Sequence, residues 1–298
     1  MEVPIVDGEN TCVLRRGDTA VKVLPVSNVS RREIMIHRKM KHPHILPISK
    51  VATRADKTKF EIIMPYIPMT LIDVVGSVPL SEARARRYFI QLASAVKYIH
   101  DKGFVHSDIK LENVLYDDRD DACYLIDFGL AFPYKRDRYV TNSCGSYDYA
   151  APEVWGGLPR IGPEADIWSL GVCLYAMVTA HFPFKLEGTE GPLKLINGEL
   201  PLIIPSGLSP ELRQLLILML EMNHHSRISI DLVQAHVWLY LASDELIHHG
   251  SISYREIIPE TTQPFDLTFD ISPSEPTFNH RRNPGVLKRL WRRIWKTH

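Results

Sequence analysis

The chain has 298 residues, 45% hydrophobic and 23% charged, the balance of a soluble globular protein long enough for one large domain or two small ones. Its 35 Lys and Arg match its 35 Asp and Glu, so no global field favours nucleic acid, and no nucleic-acid partner is expected. The balance is local, however: from Arg281 onward seven basic residues meet no acid, which leaves −7 on the first 280 residues.

Up to about residue 66 the chain reads as strand-rich. "TCVL" and "TAVKVLPV" flank "RRGD" as a hairpin, and "KFEIIMPYI" is a short buried strand. Between them Ser30 is expected to cap a helix, "RREIMIHRKM", with apolar positions Ile34, Ile36 and Met40 and a break at Pro43. From Leu80 the pattern turns helical. Ser81 caps "EARARRYFIQLASAVKYIHDKG", where Phe89, Leu92, Val96 and Ile99 recur on one face and Gly103 ends the run.

Three further helices are expected in "DIWSLGVCLYAMVTA", "SPELRQLLILMLEM" and "IDLVQAHVWLYLA". The longest apolar stretch, Leu170 to Ala180, is short of the ~20 residues a membrane span needs and reads as a buried helix. From Ser251 to Pro284 the chain is rich in Pro, Ser and Thr and lacks periodicity, as a linker does. In residues 285–298, Leu287, Leu290, Trp291, Ile294 and Trp295 make one apolar stripe backed by Lys288, Arg289, Arg292, Arg293 and Lys296. Such a basic amphipathic helix suits an anionic membrane surface or a partner's helix-binding groove, and the alternative is docking back on the rest of the chain, which also hides the two tryptophans.

Cys12, Cys123, Cys144 and Cys173 stand far apart, with no metal-ligand spacing, and the first twenty residues lack the basic start and apolar run of a leader. The expectation is a reduced intracellular compartment, cytoplasmic or nuclear, with peripheral membrane association through the basic tail.

Four motifs carry the chemistry. "HSDIKLEN" spans His106 to Asn113, "DFG" Asp127 to Gly129, "APE" Ala151 to Glu153 and "DIWSLG" Asp166 to Gly171. In this order and spacing they resemble the eukaryotic protein kinase family, serine/threonine type. "TNSCGSYDYAAPE" further resembles the calmodulin-dependent and AMP-activated kinase group. The resemblance covers residues 1–240 and implies an α+β, bilobal kinase fold. A small antiparallel β-sheet lobe with one helix (about 1–66) precedes a larger, mainly helical lobe (about 70–240), with an extension and linker over 241–284.

The resemblance also assigns roles. Phosphoryl transfer asks a protein mainly to position reactants and neutralise spreading negative charge. Asp108 is expected to orient the substrate hydroxyl and accept its proton, and Lys110 to touch the γ-phosphate. Asn113 and Asp127 supply oxygen ligands to Mg²⁺, a hard cation. Lys22, in "TAVKVL", reaches the α- and β-phosphates and needs a carboxylate; Glu33 is the only acid on the following helix. Met64 backs the adenine pocket, and the Pro65 carbonyl and Ile67 receive the base, since Pro65 has no N–H to give. Glu153 and Arg227 form a buried ion pair, and Asp166 holds the catalytic-loop backbone. ATP and Mg²⁺ are the implied cofactors, and proteins with Ser or Thr acceptors the implied substrates.

The pattern has gaps. Of the phosphate-loop glycines only Gly8 is present, with Val13 as the valine that follows the loop. Ser107 stands where an arginine is usual, and Asn142 where a phosphothreonine is usual, although Thr141 and Ser143 keep hydroxyls open to modification. Ser146 matches the hydroxyl that bridges Asp108 and Lys110. The thinned phosphate loop and Ser107 speak for the rival expectation, a pseudokinase scaffold with little or no phosphotransfer. The joint retention of Lys22, Glu33, Asp108, Asn113 and Asp127 speaks for an enzyme.

Overall fold

The computed structural model describes residues 2–7, 11–134, 147–155, 162–186, 188 and 190–241. A first compact unit spans Met1–Leu241. The expectations for Gly8, Thr141, Ser143 and Ser146, for the linker and for the helix over 285–298 fall outside the described residues.

The small lobe is a five-stranded antiparallel sheet. Strands β1 (Glu2–Asp7), β2 (Cys12–Arg16), β3 (Thr19–Pro25), β4 (Lys50–Thr53) and β5 (Lys59–Pro65) lie in the order β1-β2-β3-β5-β4. β2 and β3 form the expected hairpin. On β5 the side chains alternate, burying Phe60, Ile62 and Met64 against Leu24, Ile34, Leu46 and Ile67.

Helix α1 (Asn28–Lys39) crosses this sheet, and its start differs from expectation. The cap is Ser27, whose backbone is extended and whose Oγ accepts from the Ser30 N–H at 3.1 Å. Ser30 lies one turn inside the helix, buried, its hydroxyl 2.9 Å from Ser27 Oγ. Two serines three residues apart both fit a cap pattern; the one that burial claims is not the cap. The helix ends at Lys39, and Met40 is already extended, three residues before Pro43.

Strand β6 (Met69–Thr70) and helix α2 (Leu71–Val75) lead into α3 (Glu82–Asp101), capped as expected by Ser81. Phe89, Leu92, Val96 and Ile99 are fully buried along it. The Glu82 carboxylate ties α3 to two later elements: it accepts from Ser209 N and Oγ at 2.7 and 2.6 Å and from Trp238 Nε1 at 3.1 Å. Strands β7 (Phe104–Val105), β8 (Val114–Asp117), β9 (Ala122–Leu125) and β10 (Phe132–Pro133) make two small sheets, β6-β8-β9 and β10-β7. These brace the catalytic loop, residues 106–113.

The remaining helices are α4 (Pro152–Trp155), α5 (Pro163–Thr179), α6 (Gly191–Ile196), α7 (Pro210–Met219) and α8 (Ile230–Ala235). α5 is the apolar run read from the sequence, buried on nearly all sides rather than spanning a membrane. Among the described residues no helix is long and apolar enough to cross one. The last expected helix is shorter than its pattern. It stops at Ala235, His236 turns extended, and Val237–Leu239 form a single 3₁₀ turn that buries Trp238 and Leu239.

Candidate active site

The two lobes meet at a buried ion pair. Lys22 points inward from β3, and its cross-strand partner on β2 is Val13, so the two share a face. Its Nζ lies 2.7 Å from Glu33 Oε1 on α1 and 2.8 Å from Asp127 Oδ1. Burial works against the Lys22 ammonium, but Asp127 and Glu33 more than offset it and hold it above its usual range. Burial raises the Glu33 carboxyl, with Lys22 opposing. For Asp127 burial also pushes upward, yet Lys22 and the Gly129 N–H keep it at about 2, so it is ionised at neutral pH.

Asp127 has a left-handed backbone, φ 66°. Its Oδ1 accepts from Gly129 N at 3.1 Å. A Cβ on Gly129 would stand 3.1 Å from Asp127 Oδ1 and 3.3 Å from Glu33 Oε2, so the absent side chain keeps both carboxylates close to the turn.

Asp108 is held from two sides. Lys110 Nζ donates to Asp108 Oδ2 at 2.8 Å, and Asn113 Nδ2 donates to the Asp108 carbonyl at 2.9 Å and to Oδ2 at 2.8 Å. The loop backbone is fixed from below by Asp166 at the start of α5. Its carboxylate accepts from His106 N at 2.8 Å, Ser107 N at 2.9 Å and His100 Nε2 at 2.8 Å. Burial raises Asp166, and these contacts, His100 first, bring it below the usual carboxylate range. Ser107 has φ 65°, and its buried Oγ finds no partner among the described residues.

A row of rings links the lobes, and sequence reasoning missed it. Phe128 is fully buried, with His37 of α1 at 4.7 Å and His106 of the catalytic loop at 5.0 Å between ring centroids. His37 Nε2 meets the Leu46 carbonyl at 2.7 Å. The signal was available: His37 follows Glu33 by four residues, hence the same helix face.

Of the other expected residues, Met64 is buried in the small-lobe core beside Ala20 on β3, and Ile67 is buried just beyond it. The Tyr66 N–H is taken by the Asp18 carbonyl at 2.9 Å. Glu153 and Arg227 form a buried bidentate pair at 2.6 and 3.0 Å. Arg227 also donates to the Glu164 and Glu221 carbonyls, at 2.7 and 3.0 Å, and lies over the Trp168 ring.

The donor set suits a hard divalent cation. Asp127 is an ionised carboxylate, and Asn113 spends its amide N–H groups on Asp108, which leaves its carbonyl oxygen as the ligand atom. Lys22 supplies a nearby fixed cation for a polyphosphate.

A cleft with one carboxylate held by an amide and an ammonium, and a second beside a lysine–glutamate pair, belongs to the class of phosphoryl-transfer folds. The family model described as protein kinase domain matches residues 14–239, and the chain belongs to that family. It is 35% identical over 232 residues to the CBL-interacting serine/threonine-protein kinase 20 of Arabidopsis thaliana, covering 74% of this chain and 52% of that protein. It is 39% identical to the carbon catabolite-derepressing protein kinase of Candida glabrata over 73% of this chain and 36% of that one. To the human NUAK family SNF1-like kinase 1 it is 39% identical, over 70% and 31%. The chain thus spans between about a third and half of the length of these relatives, and the group expected from the segment before Glu153 is borne out.

Proposed function

We propose that the chain is a serine/threonine protein kinase, moving the γ-phosphoryl group of ATP to protein Ser or Thr hydroxyls. The observation that carries this is the joint geometry of Asp108, Lys110 and Asn113 with Lys22, Glu33 and Asp127. In this reading Asp108, held by Lys110 and Asn113, orients the substrate hydroxyl and accepts its proton. Lys110, 2.8 Å from the same carboxylate, offsets negative charge where the phosphoryl group arrives. Lys22 holds the remaining phosphates, and Glu33 fixes the lysine. Asn113 and Asp127 would hold Mg²⁺, which would neutralise the phosphates of bound ATP.

A phosphotransfer assay with Mg-ATP and a generic protein substrate tests the reading. Asp127→Ala is expected to lower kcat/KM by about 10³-fold or more. Equal rates in the two proteins would establish a scaffold instead.

The tail supports a second part of the proposal, attachment of the kinase to an anionic membrane surface inside the cell. The seven basic residues from Arg281 on and the stripe of Leu287, Trp291 and Trp295 have the composition for it. Co-sedimentation of the full chain with anionic liposomes, lost on truncation at Pro284, is the expected result; unchanged sedimentation of the truncated chain refutes it.

A further inference from the structure

Side chains directly opposite each other in an antiparallel sheet lie on the same face. Val13 and Arg15 of β2 stand opposite Lys22 and Ala20 of β3. Lys22 and Ala20 in turn stand opposite Ile62 and Met64 of β5. One face of the small lobe is therefore built by these six residues. Lys22 marks its inner end, where Glu33 and Asp127 meet the ammonium. Arg15 marks the outer end. Its partner Ala20 carries only a methyl group, and the Arg15 guanidinium lies over the Tyr66 ring, 4.3 Å from its centre.

Tyr66 belongs to the hinge that follows β5, residues 65–68, and this hinge is restrained along its length. Pro65 and Pro68 each lock their own φ at about −65°, and Ile67, as the residue before a proline, favours extended backbone. The Tyr66 N–H donates to the Asp18 carbonyl at 2.9 Å. Asp18 sits in the two-residue turn of the β2–β3 hairpin, where Gly17 takes the left-handed φ of 61°. The Gly17 carbonyl accepts from Arg15 Nε at 3.1 Å. One turn thus grips Tyr66 twice, by its amide and, through Arg15, by its ring. Pro65 has no amide and that of Tyr66 is spent, so the next hinge amide is that of Ile67, a residue 7% exposed. Among the described residues no backbone group takes it.

We infer that Arg15 is a positioning residue for the nucleotide base. Clamped on Tyr66, it fixes the hinge so that the Ile67 amide and the Pro65 carbonyl stand ready for adenine. The inference rests on the kinase reading above and adds a residue to it. Arg15 acts through Tyr66 and touches no reacting atom, so its effect falls on binding of the base rather than on transfer of the phosphoryl group. A hinge set before the nucleotide arrives lowers the ordering cost of binding. That suits a chain whose phosphate loop keeps one glycine.

The test is calorimetric binding of adenosine, Mg-ATP and magnesium tripolyphosphate to the full chain. Arg15→Ala is expected to weaken adenosine and Mg-ATP by about two- to fivefold, the worth of a cation over an exposed ring, and to leave tripolyphosphate unchanged. In the phosphotransfer assay KM for ATP rises by the same factor at unchanged kcat. Tyr66→Leu removes the ring, and in that background Arg15→Ala costs nothing further. Arg16 of the same turn faces Glu2 at 3.0 Å instead, and Arg16→Ala leaves all three ligands bound as before. Equal adenosine binding by the parent chain and Arg15→Ala overturns the inference. So does a loss that extends to tripolyphosphate, which marks a general field, or an Arg15→Ala loss undiminished beside Tyr66→Leu. Adenosine binding that depends on Arg15 in a chain that transfers no phosphate upholds the inference and refutes the enzyme. A parent chain that binds none of the three ligands overturns both.

Discussion

His37 makes the acid stability of this chain a readout of the ring stack. It is 3% exposed, stacked on Phe128, and presents Nε2 to the Leu46 carbonyl, so the neutral ring with its proton on Nε2 is the form that fits. Burial dominates its titration; Lys22 and His106 also oppose a positive ring, while Leu46 and Asp127 favour one. The outcome is a pKa of about 4 against 6.5 for a free histidine. A depressed histidine pKa means that the unfolded chain takes up the proton first. The stability it contributes is therefore fully present above pH 6.5 and drains away as pH falls toward 4. At about 1.4 kcal/mol per pH unit, the loss between pH 7.5 and 4.5 comes to about 2.5 kcal/mol from this residue alone. His37→Phe keeps a ring and removes the proton site, at the cost of an unpaired Leu46 carbonyl, about 1–3 kcal/mol at every pH. Urea unfolding of both proteins from pH 7.5 to 4.5 separates the two effects. The variant starts lower and falls by about 2.5 kcal/mol less; the other buried histidines titrate in both proteins and cancel in the difference. Parallel curves would refute the reasoning.

Glu153→Ala strands the Arg227 guanidinium in a site where it is almost wholly buried, and is expected to cost about 3–5 kcal/mol, read as a lowered urea midpoint at unchanged m-value. If Arg227→Met in the same chain recovers none of that loss, the stranded charge is not its cause. Gly171→Ala places a Cβ 2.9 Å from Met219 Cβ and 3.2 Å from Leu220 Cδ2, where α5 packs on α7. The helical backbone gains from alanine, but the overpacked contact is expected to win and destabilise by about 1–3 kcal/mol. A melting temperature equal to or above that of the parent protein contradicts the packing seen there.

The catalytic constellation was legible because its chemistry is written in short contiguous runs. Asp108, Lys110 and Asn113 fall within six residues, and the loop geometry that turns them toward one another is local. The Lys22–Glu33 pair followed from the resemblance, which asks for a carboxylate on the helix after β3, and the helix offers one acid. What was not legible depends on burial. Ser27 and Ser30 are equivalent as strings; only the packing of α1 decides that Ser30 goes inward. His37 stands in "MIHRKM" among charges and reads as surface, yet α1 turns it onto Phe128, 91 positions away in the chain. The break at His236 likewise follows from Trp238, which leaves the helical path to reach Glu82 on α3.

Ser107 shows how the site is ordered in this chain. An arginine here would be able to clamp a phosphate in the segment that follows; a serine hydroxyl, short, neutral and buried, has neither the reach nor the charge. The residue still adopts a left-handed backbone, φ 65°, which costs a non-glycine residue about 1 kcal/mol or more. That strain persists because Asp166 captures the amides of both His106 and Ser107, an ionised acceptor in a buried site. Asp127 repeats the device at φ 66°, held by Lys22 and the Gly129 amide. Asp108 and Asp127 thus owe their orientation to groups inside the fold: Lys110, Asn113 and the loop that Asp166 holds for the one, Lys22 and the Gly129 amide for the other. The links run from α5 through Asp166 to the loop, and from His106 through Phe128 and His37 to α1.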